Sequence, residues 1–179
     1  WPMKNPCLVV IDVQEKLYPV VQNKDDFLRN LEVLIRGFKL LDLPIIVTEQ
    51  VPHKLGHTVS SVRSILSDVE PISKSSFSCA SDDKFNSKCD ELFDVDGYVL
   101  AGIETHICVY QTERQMSLMG KHVEVVADAV SSRNKTNHSV ALDRITNSGG
   151  FLTTTEMILF ELKGNAEGDV FRELSRLVK

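Results

Sequence analysis

The sequence predicts a single three-layer α/β/α domain, in which helices cover both faces of a six-stranded parallel sheet of the Rossmann-like type. Short apolar runs rich in β-branched residues alternate with amphipathic helical segments along the chain. The apolar runs are continuous, as in strands that are buried on both faces. The length of 179 residues, with 42% hydrophobic and 25% charged residues, suits one globular domain spanning residues 1–179.

The strands are predicted from apolar runs that end at a polar residue or a glycine. The first run, CLVVI, ends at Asp12, and the fourth, YVLA, is followed by Gly102, which is expected to break the strand. The six predicted strands cover residues 7–11, 45–47, 72–74, 98–101, 123–126 and 151–154.

The helices are predicted from apolar residues that recur every three to four positions. The strongest pattern spans 25–42, where Asp25 and Asp26 stand at the end that favours negative charge. Other helices are expected at 82–92, 105–119, 135–147, 156–162 and 167–178. The polar segment 49–71 predicts a long loop with one helical turn near 62–66, and long loops in compact domains are often functional.

Composition excludes several classes of partner. The net charge is −5 and no basic run is interleaved with aromatic residues, so no nucleic-acid partner is expected. No apolar run approaches membrane-spanning length. Cysteines stand at positions 7, 79, 89 and 108 without a zinc or CxxC spacing, which favours a reducing compartment, the cytoplasm or the mitochondrion. The chain begins at Trp1 and not at Met, so a preceding targeting peptide stays open.

Three reactive side chains follow the predicted strands. Asp12 closes the first strand, Lys74 closes the third, and Cys108 opens the helix after the fourth. Ligands of parallel α/β sheets bind at the carboxyl ends of the strands, so we expect the three side chains to converge. Each also has an ordinary structural interpretation, and for the cysteine this is a buried core thiol.

The chemistry of a nucleophile fits this set. We expect Thr105 to cap the helix, and the helix N-terminus and the Lys74 ammonium to lower the thiol pKa of Cys108. Asp12 could accept the thiol proton. The backbone N–H groups of Glu104 and Cys108 could form an oxyanion hole.

The sequence also resembles the isochorismatase-like cysteine hydrolases, a superfamily that includes nicotinamidases and carbamoyl-amide hydrolases. The likeness covers nearly the whole chain, and it is greatest to the isochorismatase-domain-containing subfamily. It rests on the segments LVVIDVQ (8–14), IVTEQVP (46–52), SKSSFSC (73–79), GIETHICVYQT (102–112) and VEVVADAVSSR (123–133).

The resemblance implies an isochorismatase-like hydrolase fold with Asp12, Lys74 and Cys108 as a catalytic triad. It also implies a non-proline cis peptide at Ile103–Glu104, a small-molecule substrate and a homo-oligomer of two or more subunits. The expected reaction is hydrolysis of an amide or ureido C–N bond through a thioester. Three alternatives stay open: vinyl ether hydrolysis of the isochorismate type, a catalytically silent scaffold of the same fold, and a nuclease.

The substrate pocket is predicted from residues beside the triad. Amide side chains can both donate and accept hydrogen bonds. The predicted substrate-binding residues are Gln14, Tyr18, Gln50, Phe77, Thr105 and His106. The Asp-x-His metal motif of some nicotinamidases is absent, and His53 and His57 lie on a predicted loop, so no metal and no cofactor are expected.

Overall fold

The computed structural model describes residues 3–179 and contains one six-stranded, all-parallel sheet. The strand order is β3-β2-β1-β4-β5-β6. This architecture confirms the predicted fold class. The strands are β1 (Pro6–Ile11), β2 (Ile45–Gln50), β3 (Ile72–Lys74), β4 (Gly97–Ile103), β5 (Val123–Ser131) and β6 (Phe151–Thr153).

Helices form a layer on each face of the sheet. One apolar core lies between the sheet and α1, α7 and α8, and the other lies between the sheet and α4, α5 and α6. Burial of these apolar faces is the main force that fixes the layers. The helices are α1 (Lys24–Leu40), α2 (Pro52–Leu55), α3 (Ser60–Ile65), α4 (Asp83–Glu91), α5 (Tyr110–Leu118), α6 (Lys135–Asn147), α7 (Thr155–Lys163) and α8 (Gly168–Leu177).

Four strands are longer than the sequence pattern predicts: β1 by one residue, β2 and β4 by three residues each, and β5 by five. β4 continues through Gly102 to Ile103, because this glycine does not break the strand but lets two strands approach. Its φ is +124°, and an added Cβ would lie 2.1 Å from the carbonyl oxygen of Ile11. β5 continues past the polar Asp128, whose carboxylate is satisfied by the backbone N–H and the hydroxyl of Thr155 at 2.8 and 2.9 Å.

The predicted loop 49–71 also differs in part. It contains two short helices, α2 and α3, where the sequence indicated one helical turn. Gln14 forms an isolated antiparallel bridge with Thr58 of this segment, so the loop lies against the end of β1. Within residues 3–179, no helix has both the length and the apolar character needed to span a bilayer.

The strand order places the candidate residues at the centre of the sheet. Chain connections from β1 lead outward to β2 and β3, whereas β4 lies on the other side of β1 and leads to β5 and β6. The gap between β1 and β4 is therefore the topological switch point, where α/β sheets of this kind bind ligands. Asp12 follows β1 and Cys108 follows β4, so they stand on the two sides of this point.

Candidate active site

Asp12 is the centre of a buried polar cluster. It leaves β1 with a positive φ of 52°, a conformation that Asp tolerates better than most residues. Its carboxylate accepts hydrogen bonds from the Thr48 hydroxyl and from the Lys74 Nζ, both at 2.8 Å. The Asp12 and Lys74 side chains are fully buried, so this ion pair is shielded from water.

The Lys74 ammonium is held on several sides. Its Nζ also donates to the Gln50 Oε1 at 2.7 Å and lies 3.0 and 3.2 Å from the carbonyl oxygens of Ser76 and Phe77. Burial alone would lower the pKa of Lys74, but the charge of the Asp12 carboxylate and its hydrogen bond to the ammonium outweigh burial and raise the pKa above its usual value. Lys74 is therefore a fixed cation beside the carboxylate.

Cys108 lies in a π-helical turn, Thr105–Val109, that joins β4 to α5. Its side chain is 6% exposed. Burial raises the pKa of the Cys108 thiol well above its usual value, the Asp12 carboxylate raises it further, and Lys74 offsets only part of this. The expectation of a lowered thiol pKa is therefore wrong, because burial and Asp12 outweigh the helix N-terminus. The resting thiol is protonated and needs a base before it can attack.

The turn that leads to Cys108 departs from α-helical geometry. The Ile103–Glu104 peptide bond is cis, as the resemblance implies. The Glu104 carbonyl accepts from the N–H groups of Ile107 and Val109 at 3.1 and 3.3 Å, and within the described residues it receives no bond from Cys108. The wider π-helical turn thus keeps the Cys108 N–H out of an α-helical bond to Glu104. The oxyanion role of Glu104 and Cys108 stays a prediction.

Comparison with known proteins identifies the family. The model of the Isochorismatase domain matches residues 6–157. The chain belongs to the isochorismatase family. Isochorismatase domain-containing protein 2 of Danio rerio is 34% identical over 175 residues, which cover 98% of this chain and 87% of that protein.

Solved structures of similar proteins share the fold. The structure described as MAR1 ribonuclease from Caenorhabditis elegans has a TM-score of 0.88 at 35% identity, and the match covers 98% of this chain and 90% of that one. The YcaC gene product of Escherichia coli, described as an octameric hydrolase of unknown specificity, has a TM-score of 0.89 at 24% identity, covering 97% of this chain and 86% of that one. At that identity the second likeness concerns the fold alone.

In this isochorismatase-family chain, the turn that contains Cys108 is held by Ser132 and Arg133, which follow β5, and by His138 of α6. None of these partners was predicted as a site residue, although their segment VADAVSSR contributed to the resemblance. The Arg133 backbone N–H and its Nε both donate to the Glu104 Oε1 at 3.0 Å. The Thr105 Oγ1 pairs with the His138 Nδ1 at 2.8 Å. The His106 Nδ1 pairs with the Ser132 Oγ at 2.9 Å.

These contacts revise the roles expected for Thr105 and His106. The Thr105 hydroxyl does not cap the helix, because it is bonded to His138. His106 is anchored to Ser132. Burial and the neighbouring His106 lower the pKa of His138, so its ring is neutral at pH 7 and can share a hydrogen bond with Thr105 in either direction. Thr105 and His106 therefore position the turn, and their contact with a substrate stays a prediction.

A second thiol lies within the buried cluster. The Cys79 Sγ lies 3.8 Å from the Thr48 Oγ1, and the Cys79 backbone N–H donates to the Thr112 hydroxyl at 2.9 Å. Burial raises the pKa of Cys79 to about 11, with a further contribution from Asp12. Cys79 is thus a core thiol, although it packs against Thr48, which donates to Asp12.

Gln14 and Gln50 are used within the fold. The Gln14 Nε2 donates to the carbonyl oxygens of Gln50 and Gly56 at 3.0 and 2.7 Å, and its Oε1 accepts from the Gln50 N at 2.7 Å. The Gln50 Oε1 accepts from Lys74, and its Nε2 donates to the Ser75 carbonyl at 2.8 Å. This geometry gives Gln14 a structural role in place of the predicted substrate contact, since it is fully buried and all its amide atoms are bonded.

We expect Gln14→Ala to lower the free energy of unfolding by about 2–3 kcal/mol, because it leaves buried backbone groups without partners. The melting temperature should then fall by roughly 4–12 °C for a domain of this size. Thermal unfolding followed by circular dichroism measures this change. Gln22→Ala is the matched control, since Gln22 is exposed and its amide makes one bond, to the Arg133 carbonyl. Equal melting temperatures for the two variants would contradict the structural role.

The last two predicted residues, Tyr18 and Phe77, contribute no side-chain hydrogen bond to the Asp12–Lys74 cluster within residues 3–179. Tyr18 packs against Phe27 of α1, with ring centroids 6.4 Å apart, and no contact described for it reaches Asp12 or Cys108. The Phe77 side chain is 55% exposed, beside the backbone carbonyl that holds Lys74. His57 pairs with Glu49 at 3.2 Å, and among residues 3–179 no group of three or more His, Cys, Asp or Glu side chains could hold a metal ion.

Proposed function

We propose that this protein is a small-molecule hydrolase that uses the Cys108 thiol as its nucleophile and cleaves the C–N bond of an amide or ureido compound. The observation that carries the proposal is the placement of the Asp12 carboxylate. Lys74 and Thr48 fix it at 2.8 Å each, and it is close enough to Cys108 to raise the pKa of the thiol. A buried base beside a protonated thiol is the arrangement that general-base activation requires.

The first half of the reaction forms a thioester. The Cys108 Sγ attacks the carbonyl carbon while Asp12 takes the thiol proton, so no free thiolate has to build up. The N–H groups of Glu104 and Cys108 bind the resulting oxyanion. The tetrahedral intermediate then collapses, the C–N bond breaks, and Asp12 returns the proton to the leaving nitrogen. Lys74 balances the Asp12 charge before and after each transfer.

The second half returns the enzyme to its resting state. A water molecule replaces the departed amine and loses a proton to Asp12 as it attacks the thioester carbonyl. The C–S bond breaks, the Cys108 sulfur regains the proton from Asp12, and a carboxylic acid or a carbamic acid leaves. One amide and one water are consumed, and one acid and one amine are formed.

A vinyl ether hydrolase and a silent scaffold are the main alternatives. Vinyl ether hydrolysis begins with proton delivery to carbon and needs no thiol, so it leaves the placement of Cys108 beside Asp12 without a purpose. A scaffold has no need of a buried ion pair, which is costly to desolvate. RNA cleavage is a further alternative because the Caenorhabditis elegans relative is described as a ribonuclease, but the net charge of −5 gives a polyanion no general attraction.

Acylation by 4-nitrophenyl acetate tests the proposal. The expected result is a burst of nitrophenolate and, after an acid quench, an acetyl group found by peptide mass spectrometry on Cys108 and not on Cys7, Cys79 or Cys89. Cys108→Ala should lose the burst and the acetyl group. Cys89→Ala, which removes a half-buried thiol in α4, is the control and should keep both. Acetylation spread evenly over the four cysteines, or absent from Cys108, would refute the proposal and favour the scaffold.

We propose that the working protein is a homo-oligomer in a reducing compartment. The fold neighbour from Escherichia coli is described as an octamer, and this supports an oligomer here by analogy. The four cysteines are all free, and a nucleophilic thiol has to stay reduced to act. Light scattering of the purified protein gives the number of subunits, and a mass equal to one chain would refute the oligomer.

A further inference from the structure

The Glu104 carboxylate is turned into the protein and is held there by Arg133. The Glu104 side chain is 5% exposed, and a carboxylate is costly to bury unless it is paired and hydrogen-bonded. Its Oε1 accepts two hydrogen bonds at 3.0 Å, one from the Arg133 backbone N–H and one from the Arg133 Nε. The guanidinium also supplies the counter-charge, so Arg133 fixes where this carboxylate lies.

Arg133 is itself fixed from the other side by Gln22, in the segment that precedes α1. The Gln22 backbone N–H donates to the Ser132 carbonyl at 2.9 Å. The Gln22 Nε2 donates to the Arg133 carbonyl at 2.9 Å, and the Ser131 Oγ donates to the Gln22 carbonyl at 2.6 Å. Residues 131–133 therefore form a firm support between this segment and the turn that contains Cys108.

The position of Glu104 matters because its backbone N–H is a proposed donor to the oxyanion. Its carbonyl accepts from the N–H groups of Ile107 and Val109, so the turn holds this part of the residue. The carbonyl and the side chain are thus both bonded, and together they determine the direction of the N–H. A donor has to lie about 2.7–3.1 Å from the oxyanion, and a displacement of roughly 1 Å can cost about 10²-fold in rate.

Loss of the Arg133 side chain is expected to shift Glu104 without unfolding the turn. The Arg133 side chain is 59% exposed, and exposed ion pairs contribute little to stability. The Arg133 backbone N–H would still donate to the carboxylate, and the other anchors of the turn, at Thr105 and His106, would remain. The Arg133 side chain therefore acts on the position of Glu104 more than on the stability of the domain.

We propose that Arg133 is a positioning residue for thioester formation, which holds Glu104 so that its backbone N–H points at the developing oxyanion. Arg133 acts through Glu104 and needs no contact with the substrate or the reacting atoms. This assignment rests on the proposed function, in which acyl transfer to Cys108 develops the oxyanion. Arg133 should therefore affect acylation of the thiol but not its reaction with a reagent that forms no oxyanion.

Two reagents separate these effects. 4-Nitrophenyl acetate acylates Cys108 through an oxyanion, whereas iodomethane methylates the sulfur without one. Stopped-flow measurement of the nitrophenolate burst at increasing reagent concentration gives the maximal acylation rate and the half-saturating concentration. Peptide mass spectrometry gives the rate of methylation of Cys108.

We expect Arg133→Met to lower the maximal acylation rate by about tenfold. This is less than the roughly 10²–10³-fold loss for a whole oxyanion donor, because the Glu104 carboxylate keeps one of its two bonds. The half-saturating concentration and the methylation rate should change by less than about twofold, since neither depends on the oxyanion. The melting temperature should fall by no more than about 4 °C, as for an exposed ion pair.

Two further variants serve as controls. Arg133→Lys keeps a charged donor for the Glu104 carboxylate, so it should recover part of the acylation rate that Arg133→Met loses. Arg36→Met removes an equal charge from the exposed side of α1 and should leave both rates unchanged.

Several results would overturn the assignment. An unchanged acylation rate in Arg133→Met would do so directly. Equal losses of acylation and methylation, with a larger fall in melting temperature, would show that Arg133 only supports the fold. A raised half-saturating concentration at an unchanged maximal rate would show that it binds the substrate. The absence of a burst from the unchanged protein would refute the proposed function, and the assignment with it, so the two failures are distinguishable.

Discussion

Asp12→Asn is expected to abolish hydrolysis while making Cys108 easier to alkylate at neutral pH. Turnover of 4-nitrophenyl acetate should fall by about 10²–10⁴-fold, the usual contribution of a general base. Iodoacetamide should label the thiol faster than in the unchanged protein. If Asp12 only supported the fold, its replacement would not lower turnover and raise the alkylation rate at the same time.

The faster alkylation expected for Asp12→Asn follows from the burial of the Cys108 thiol and the charges around it. Burial raises the pKa of Cys108 most, and the Asp12 carboxylate raises it further, while Lys74 lowers it. Replacing the carboxylate by an amide removes one raising effect and leaves the Lys74 ammonium in place. The pKa of the thiol therefore falls and the thiolate fraction at pH 7 rises. A tenfold rise in thiolate is offset by roughly a threefold loss of its nucleophilicity, so a net gain of about threefold is expected.

Alkylation rates measured from pH 6 to 10 check this expectation. The unchanged protein should be labelled faster as the pH rises, without a plateau below about pH 9, because its thiol pKa is raised. The Asp12→Asn rates should be higher at pH 7 and approach the others at high pH. Asp128→Asn is the control, since Asp128 is another carboxylate of the sheet but bonds to Thr155. Slower labelling of Asp12→Asn at pH 7 would contradict Asp12 as the base.

The positions of the three candidate residues were predictable because they depend on the ends of strands. The apolar run CLVVI ends at Asp12, the short predicted strand 72–74 ends at Lys74, and a glycine-containing turn leads from the fourth strand to Cys108. A parallel sheet therefore brings all three residues to one edge. The strand order then places Asp12 and Cys108 across the switch point. These inferences need only the pattern of the chain and the geometry of parallel sheets.

Properties that depend on packing between distant segments were not predictable in the same way. The pKa of Cys108 was expected to fall, because the sequence shows its place at a helix start but not its burial or the direction of the Asp12 carboxylate. Gln14 was assigned to the substrate, because a polar side chain beside a site looks the same whether it faces solvent or backbone. His138 lies 33 residues from its partner Thr105 in the chain, and no local pattern links the two.

Lys74→Met is expected to cause the largest loss of stability among the variants considered. It removes the ammonium and leaves the Asp12 carboxylate buried without a counter-charge, with the Thr48 hydroxyl still donating to it. Removing one partner of a buried ion pair typically lowers the free energy of unfolding by about 3–5 kcal/mol. The melting temperature should fall by roughly 6–20 °C for a domain of this size. Lys88→Met, which removes an exposed pair with Glu91, should change the free energy by less than about 1 kcal/mol.

A double variant separates the loss of a charge partner from the loss of packing. Lys74→Met combined with Asp12→Asn removes both charges, so it should recover much of the stability that Lys74→Met loses alone. The coupling between the two sites is obtained by measuring the free energy of unfolding of the two single variants and the double variant in urea. If the double variant is destabilised by the sum of the two single changes, the pair makes no energetic contribution as a unit, and the role of Lys74 as the counter-charge of Asp12 is wrong.

The stability difference between the unchanged protein and Lys74→Met, measured as a function of pH, shows whether the charge of Lys74 causes that difference. The pKa of Lys74 is raised in the folded state, because the Asp12 carboxylate outweighs the effect of burial. A group with a raised pKa contributes stability that is fully present below its unfolded value, near pH 10.4, and is lost as the pH rises through the folded value. The stability gap between the unchanged protein and Lys74→Met should therefore be constant from pH 7 to 10 and narrow above it. A gap that stays constant at pH 11 and beyond would mean that the lysine stabilises the fold through its aliphatic stem and not through its charge.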